Sequence, residues 1–129
     1  MEKTLTGSNV LVVDDDAAIR DIYTRALKEA GATTLEAEDG EEGLRMAREH
    51  HPSLILLDLM MPKRDGRAML KDLKADESLK NIPVVIFSAL ITELEKDETI
   101  EAGAAEYIEK SDIEEPEQLI NKIKTVLHK

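Results

Sequence analysis

At 129 residues, 42% of them apolar, the chain is sized for one hydrophobic core, and with no cysteine it has neither a disulfide framework nor a thiolate metal site. Its formal net charge of −11 opposes binding to nucleic-acid phosphates and anionic lipid and favours cations and basic partner surfaces. No stretch reaches the roughly 20 apolar residues that cross a bilayer, and Met1–Gly7 lacks the apolar centre of a secretory signal, so a cytoplasmic protein with no membrane or direct nucleic-acid partner is expected.

Residues 1–8 read as an N-terminal extension to a single domain covering 1–129. Val10-Leu11-Val12-Val13 is an unbroken aliphatic run, the pattern of a parallel strand covered on both faces, and it ends in Asp14-Asp15-Asp16. A helix follows to about Ala30, with Ile19, Ile22, Tyr23, Ala26, Leu27 and Ala30 at the spacing of one face and Gly31 placed to end it. Asp16 suits its N-cap. The β-branched segment Thr33–Ala37 predicts an outer strand. Asp39 and Glu42 have capping-box spacing and open a second helix running to His50 or His51, closed off by Pro52.

Leu54-Ile55-Leu56-Leu57 is the central strand, and it runs directly into Asp58. A carboxylate there leaves the sheet at the carboxyl edge, where open α/β sheets bind their ligands. The loop Met61-Pro62-Lys63-Arg64-Asp65-Gly66 leads to a short helix carrying Met69, Leu70 and Leu73. Pro83–Phe87 predicts the fourth strand, ending in Ser88-Ala89. The helix from about Thr92 to Ala102 has the poorest apolar stripe in the chain, since Leu94 and Ile100 do not share a face. Gly103 ends it, Glu106–Glu109 forms a fifth strand, and Lys110 follows. Pro116 begins a last helix with an apolar face of Leu119, Ile120, Ile123, Val126 and Leu127.

Five strands alternating with five helices predict an α/β fold: a five-stranded parallel sheet with helices on both faces. Right-handed crossovers in a doubly wound, flavodoxin-like sheet give the order 2-1-3-4-5. Asp14, Asp15, Asp58, Ser88 and Lys110 then all stand at one sheet edge. Adjacent strands lie about 4.8 Å apart, so Asp14 and Asp15 crowd against Asp58. Carboxylates so close repel unless protonated or bridged by a cation. An all-oxygen donor set favours a hard ion, Mg²⁺ above all. Lys110 must cross roughly two strand spacings, about 10 Å, to reach Asp58. A carboxylate, a cation, a hydroxyl and an ammonium at one place suit phosphoryl transfer onto the carboxylate.

These motifs together resemble the receiver domain of two-component response regulators, over nearly the whole chain from about Asn9 to the last helix. The matching residues are Val12-Val13-Asp14-Asp15-Asp16, Asp58-Leu59-Met60-Met61-Pro62 with Asp65-Gly66, Ser88-Ala89, and Tyr107 with Lys110. The resemblance implies that Asp58 is the phosphoacceptor and that Asp15, Asp58 and the Met60 backbone carbonyl bind Mg²⁺, with Asp14 assisting through water. It implies that Ser88 and Tyr107 form an activation switch and that Lys110 contacts the phosphoryl group. On phosphorylation Ser88 is expected to move toward the phosphoryl oxygen and Tyr107 to rotate inward. The implied donor is a sensor histidine kinase or phosphotransfer protein. The implied output is a downstream protein target, an effector domain outside this sequence, or a phosphorylation-dependent homodimer. Where the family usually has proline after the lysine, this chain has Ser111, so a trans bond is expected there.

Two alternatives use the same residues. A Mg²⁺-dependent aspartyl-phosphate phosphatase would commonly place a second acid two positions after its nucleophile, where this chain has Met60. A phosphorylation-independent interaction module would not require the full set of side chains present here. A nucleotide-binding module is disfavoured because no Gly-rich loop follows the first strand.

Overall fold

The aliphatic runs at 10–13 and 54–57 lie side by side in the middle of a parallel sheet. The computed structural model describes residues 4–61, 65–89 and 92–128; the expected loop residues Pro62, Lys63 and Arg64 and the first three residues of the extension lie outside them. The strands are β1 (Asn9–Val13), β2 (Thr33–Ala37), β3 (Leu54–Leu57), β4 (Val84–Ser88) and β5 (Glu106–Glu109). The helices are α1 (Ala17–Glu29), α2 (Gly40–His50), α3 (Gly66–Ala75), α4 (Glu93–Glu101) and α5 (Pro116–Leu127). The sheet order is β2-β1-β3-β4-β5, as the alternation of elements predicts, and every neighbouring pair is parallel.

Alternate strand residues feed two cores. Val10, Val12, Leu54, Leu56, Val85 and Phe87 pack with α1 and α5 on one face. Leu11, Val13, Ile55, Leu57, Val84 and Ile86 pack with α2 and α3 on the other. Each such buried side chain contributes about 1.5–3 kcal/mol. This double coverage explains why β1 and β3 show no polar alternation.

The helices start where short polar side chains accept their free N–H groups. Asp16 accepts from Ala18 and Ile19, Asp39 from Glu42, and Asp65 from Ala68. Each cap is worth about 1 kcal/mol. α4 differs from the other helices: it buries Thr99 while Leu94 and Ile100 face solvent, as its missing stripe foretells.

The structure corrects two details. Ile22, read as part of the core face of α1, is 46% exposed, because the buried face is centred on Tyr23 and Leu27 and Ile22 lies beyond its margin. The fourth strand starts at Val84 rather than Pro83, whose ring leaves no N–H for the ladder. Within the extension, Leu5 is buried in the α1/α5 core, and its N–H donates to the Ala30 carbonyl. No peptide bond among the described residues is cis, so Lys110–Ser111 is trans as expected; the chain turns there through a short 3-10 segment, Lys110–Asp112.

Candidate functional site

The strand registers place the site. Val13 pairs with Leu57, so Asp14 and Asp58 are the next residue on two adjacent strands. Ser88 pairs with Glu109, so Lys110 stands one step beyond it. Backbone bonds hold these ends: Asp14 N–H donates to Ala37 O and Asp58 N–H to Val13 O.

Asp14, Asp15 and Asp58 converge, each offering a carboxylate oxygen within 4.8 Å of the others. Asp14 and Asp58 are buried, and Asp15 is exposed at the mouth. Lys110 crosses from β5, as the expected gap requires. Its Nζ donates to Asp14 Oδ2 at 2.9 Å and to Asp58 Oδ2 at 3.2 Å. Three carboxylates against one ammonium leave two formal negative charges, which a divalent cation would neutralise. The donor set is all oxygen, as a hard ion requires, so the residues fit Mg²⁺.

Burial pushes the Asp14 carboxyl above its usual value; the Asp16 N–H and Lys110 pull it back without overcoming that push. For Lys110, burial works to lower its pKa, but the hydrogen bond and charge of Asp14 and the charge of Asp58 outweigh it, and the ammonium is held above its usual range.

The other Asp58 oxygen is gripped as well. Ser88 Oγ donates to Asp58 Oδ1 at 2.6 Å, and the Met60 N–H donates to the same atom at 3.1 Å. The Leu59 N–H approaches Ser88 Oγ at 3.4 Å. The Met60 side chain points outward, 56% exposed.

Tyr107 is buried, and its hydroxyl donates to the Ala89 carbonyl at 2.8 Å. Ser88 is thus turned toward Asp58 and Tyr107 inward toward Ala89. The physical reason is partner satisfaction: the Asp58 carboxylate itself accepts the serine proton, and Ala89 completes the phenol.

Two further residues shape the site. Gly66 opens α3 directly against Asp58: a Cβ there would overlap the Asp58 carbonyl oxygen and press on Leu59 Cα, so no larger residue fits without moving the backbone that follows β3. The sequence marks Asp65-Gly66 as a motif, but the steric reason appears only in three dimensions. Arg20 donates to the Asp14 carbonyl oxygen at 2.6 Å and was not singled out from the sequence. One signal was present: a cation in the first turn of a helix opposes the helix dipole and so implies a local acidic partner.

A family model for the response regulator receiver domain matches residues 10–124. The phosphate regulon transcriptional regulatory protein PhoB of Pseudomonas aeruginosa is 36% identical over 125 residues, 97% of this chain and 54% of that protein. The DNA-binding dual master transcriptional regulator RpaA of Synechocystis is 39% identical over 107 residues, 82% of this chain and 44% of that protein. The chain spans about half the length of these curated relatives. Among solved structures, the receiver domain of the Francisella response regulator 1452 is similar with a TM-score of 0.85 at 32% identity, covering 95% of this chain and 98% of that one. The chemotaxis response regulator CheY4 of Vibrio cholerae gives 0.86 at 28% identity, covering 94% and 99%.

Proposed function

The chain belongs to the response regulator receiver domain family, and on that premise we propose that Asp58 accepts a phosphoryl group from the phosphohistidine of a sensor kinase or phosphotransfer protein. The observation that carries this reading is the grip on Asp58: Ser88 on one carboxylate oxygen and Lys110 on the other, with Asp14 and Asp15 alongside. An Asp58 oxygen attacks phosphorus, the bond to the histidine nitrogen breaks, and its electron pair stays on the imidazole. The product is a mixed anhydride on Asp58. Lys110 lies where it offsets the charge gathering on the phosphoryl oxygens, and the Ser88 hydroxyl lies where it can donate to one of them. Asp15, Asp58 and the Met60 backbone carbonyl would hold Mg²⁺, with Asp14 assisting through water. When bound, that ion supplies positive charge at the phosphoryl oxygens and relieves the repulsion among the carboxylates. Water attack on the same phosphorus reverses the modification, so the chain catalyses its own phosphorylation and dephosphorylation.

The modification adds about −1.5 to −2 charge. Ser88 then exchanges the Asp58 carboxylate for a phosphoryl oxygen, which holds Tyr107 inward and so biases the surface near α4, β5 and α5 toward a partner. No helix among the described residues is long and apolar enough to cross a membrane. We place the whole chain, as one receiver domain, in the cytoplasm, acting on a docked target, a linked effector or a second copy. Incubation with acetyl phosphate and Mg²⁺, followed by intact-mass measurement under mild conditions, is expected to show one phosphoryl adduct that Asp58→Ala removes. An adduct that survives this substitution would remove Asp58 from its role.

A further inference from the structure

Arg20 makes two contacts that the receiver chemistry does not call for. One guanidinium nitrogen donates to the Asp14 backbone carbonyl at 2.6 Å, and Nε pairs with Glu36 Oε1 on β2 at 3.3 Å. The Arg20 side chain is only 14% exposed, although Glu36 is 48% exposed. Asp14 is thereby held at every polar group: N–H to Ala37, carbonyl from Arg20, Oδ1 from the Asp16 N–H, and Oδ2 from Lys110. Asp15 has no such support. It is exposed, and no described residue donates to its carboxylate in the bonds that hold Asp14 and Asp58. Yet it stands in the same carboxylate cluster.

The Asp14 carbonyl and the Asp15 N–H belong to one planar peptide unit. Fixing that carbonyl restrains the plane, and the plane sets where the Asp15 Cα stands, the base from which its side chain leaves the backbone. We infer that Arg20 is a positioning residue for the cation site: through the Asp14 carbonyl it holds the Asp14–Asp15 peptide and so aims the Asp15 carboxylate. Glu36 orients the guanidinium for this task. The inference rests on the Mg²⁺ site proposed above.

Two effects of opposite sign follow from removing Arg20. Losing a positive charge near the carboxylates tightens cation binding, but the charge is already paired with Glu36, and an ion pair of this kind is worth at most about fivefold. Losing the support behind a ligand weakens binding, typically about 10- to 100-fold. Positioning wins, so the sign of the change identifies the role.

Titration of Mg²⁺ into the full chain by calorimetry tests this. Arg20→Ala is expected to raise Kd about tenfold. Arg20→Lys, which keeps the charge and can donate one bond, is expected to recover part of the loss. Glu36→Gln keeps the guanidinium but loosens its anchor, and is expected to weaken binding by about two- to threefold. Phosphorylation by acetyl phosphate should need more Mg²⁺ in Arg20→Ala but approach the wild-type rate at saturating Mg²⁺, a split that a general loss of structure would not give. Unchanged or tighter Mg²⁺ binding by Arg20→Ala overturns the inference. If that variant does not fold, wild-type affinity in both Arg20→Lys and Glu36→Gln overturns it instead. Failure of the wild-type chain to bind Mg²⁺ overturns the site itself, and the inference with it.

Discussion

Lys110 and Asp14 are 96 residues apart in sequence and 2.9 Å apart in space. The same ammonium also reaches Asp58, so one lysine just past the end of an outer strand ties together two buried carboxylates from the middle of the sheet. Removing it leaves both acids buried without their shared counter-charge. For metal-free Lys110→Ala we expect a loss of about 3 kcal/mol in urea denaturation, the low end for a broken buried pair because the lysine is itself 26% exposed. Mg²⁺ should bind this variant more tightly than wild type, while phosphorylation by acetyl phosphate falls sharply. Parallel changes in both would mean the lysine serves the cation rather than the phosphoryl group.

Asp14 gives a pH prediction of definite sign. Burial holds its folded pKa above the ordinary 3.8. The folded chain therefore binds that proton more tightly than the unfolded chain. The stabilisation this provides is complete below pH 3.8 and is lost as pH rises through the folded value. At neutral pH, metal-free Asp14→Asn should be more stable than wild type, with the gap closing as pH falls toward 3.8. Thermal melts in EDTA across that range would show it; a gap that widens toward acid contradicts the assignment.

Gly66 supplies a steric test that removes no charge. A β-carbon there cannot coexist with the Asp58 carbonyl as placed. Gly66→Ala should cost about 1–3 kcal/mol by forcing this backbone apart, and should slow phosphorylation even where the variant is fully folded. Retention of both wild-type stability and wild-type rate would show that the loop relaxes freely.

α4 should be the least protected helix. It buries Thr99, exposes Leu94 at 68%, and is tied to α3 by an Arg67–Glu95 pair at 2.6 Å that itself lies in solvent. α5, by contrast, seats Leu119, Ile120 and Ile123 in the core. Amide exchange by mass spectrometry should find α4 exchanging fastest of the five helices, and slower after treatment with beryllofluoride and Mg²⁺. Equal protection of α4 and α5 would count against α4 as the element that responds.

The sequence by itself determined the strands, their order and which side chains stand at their carboxyl ends. That information is local: unbroken aliphatic runs, helical spacing, and an acid, a hydroxyl or a lysine immediately after each run. Strand ends in a parallel sheet must share one edge, so Asp14, Asp15, Asp58, Ser88 and Lys110 could be brought together without coordinates. Only the tertiary structure decided what each side chain does on arrival. It turned Ile22 to solvent, buried Leu5 and Tyr107, set Gly66 against the Asp58 carbonyl, and placed Arg20 on that of Asp14. Such outcomes depend on rotamers, helix rotation and close backbone approach across elements far apart in the chain. No periodicity in the sequence records them.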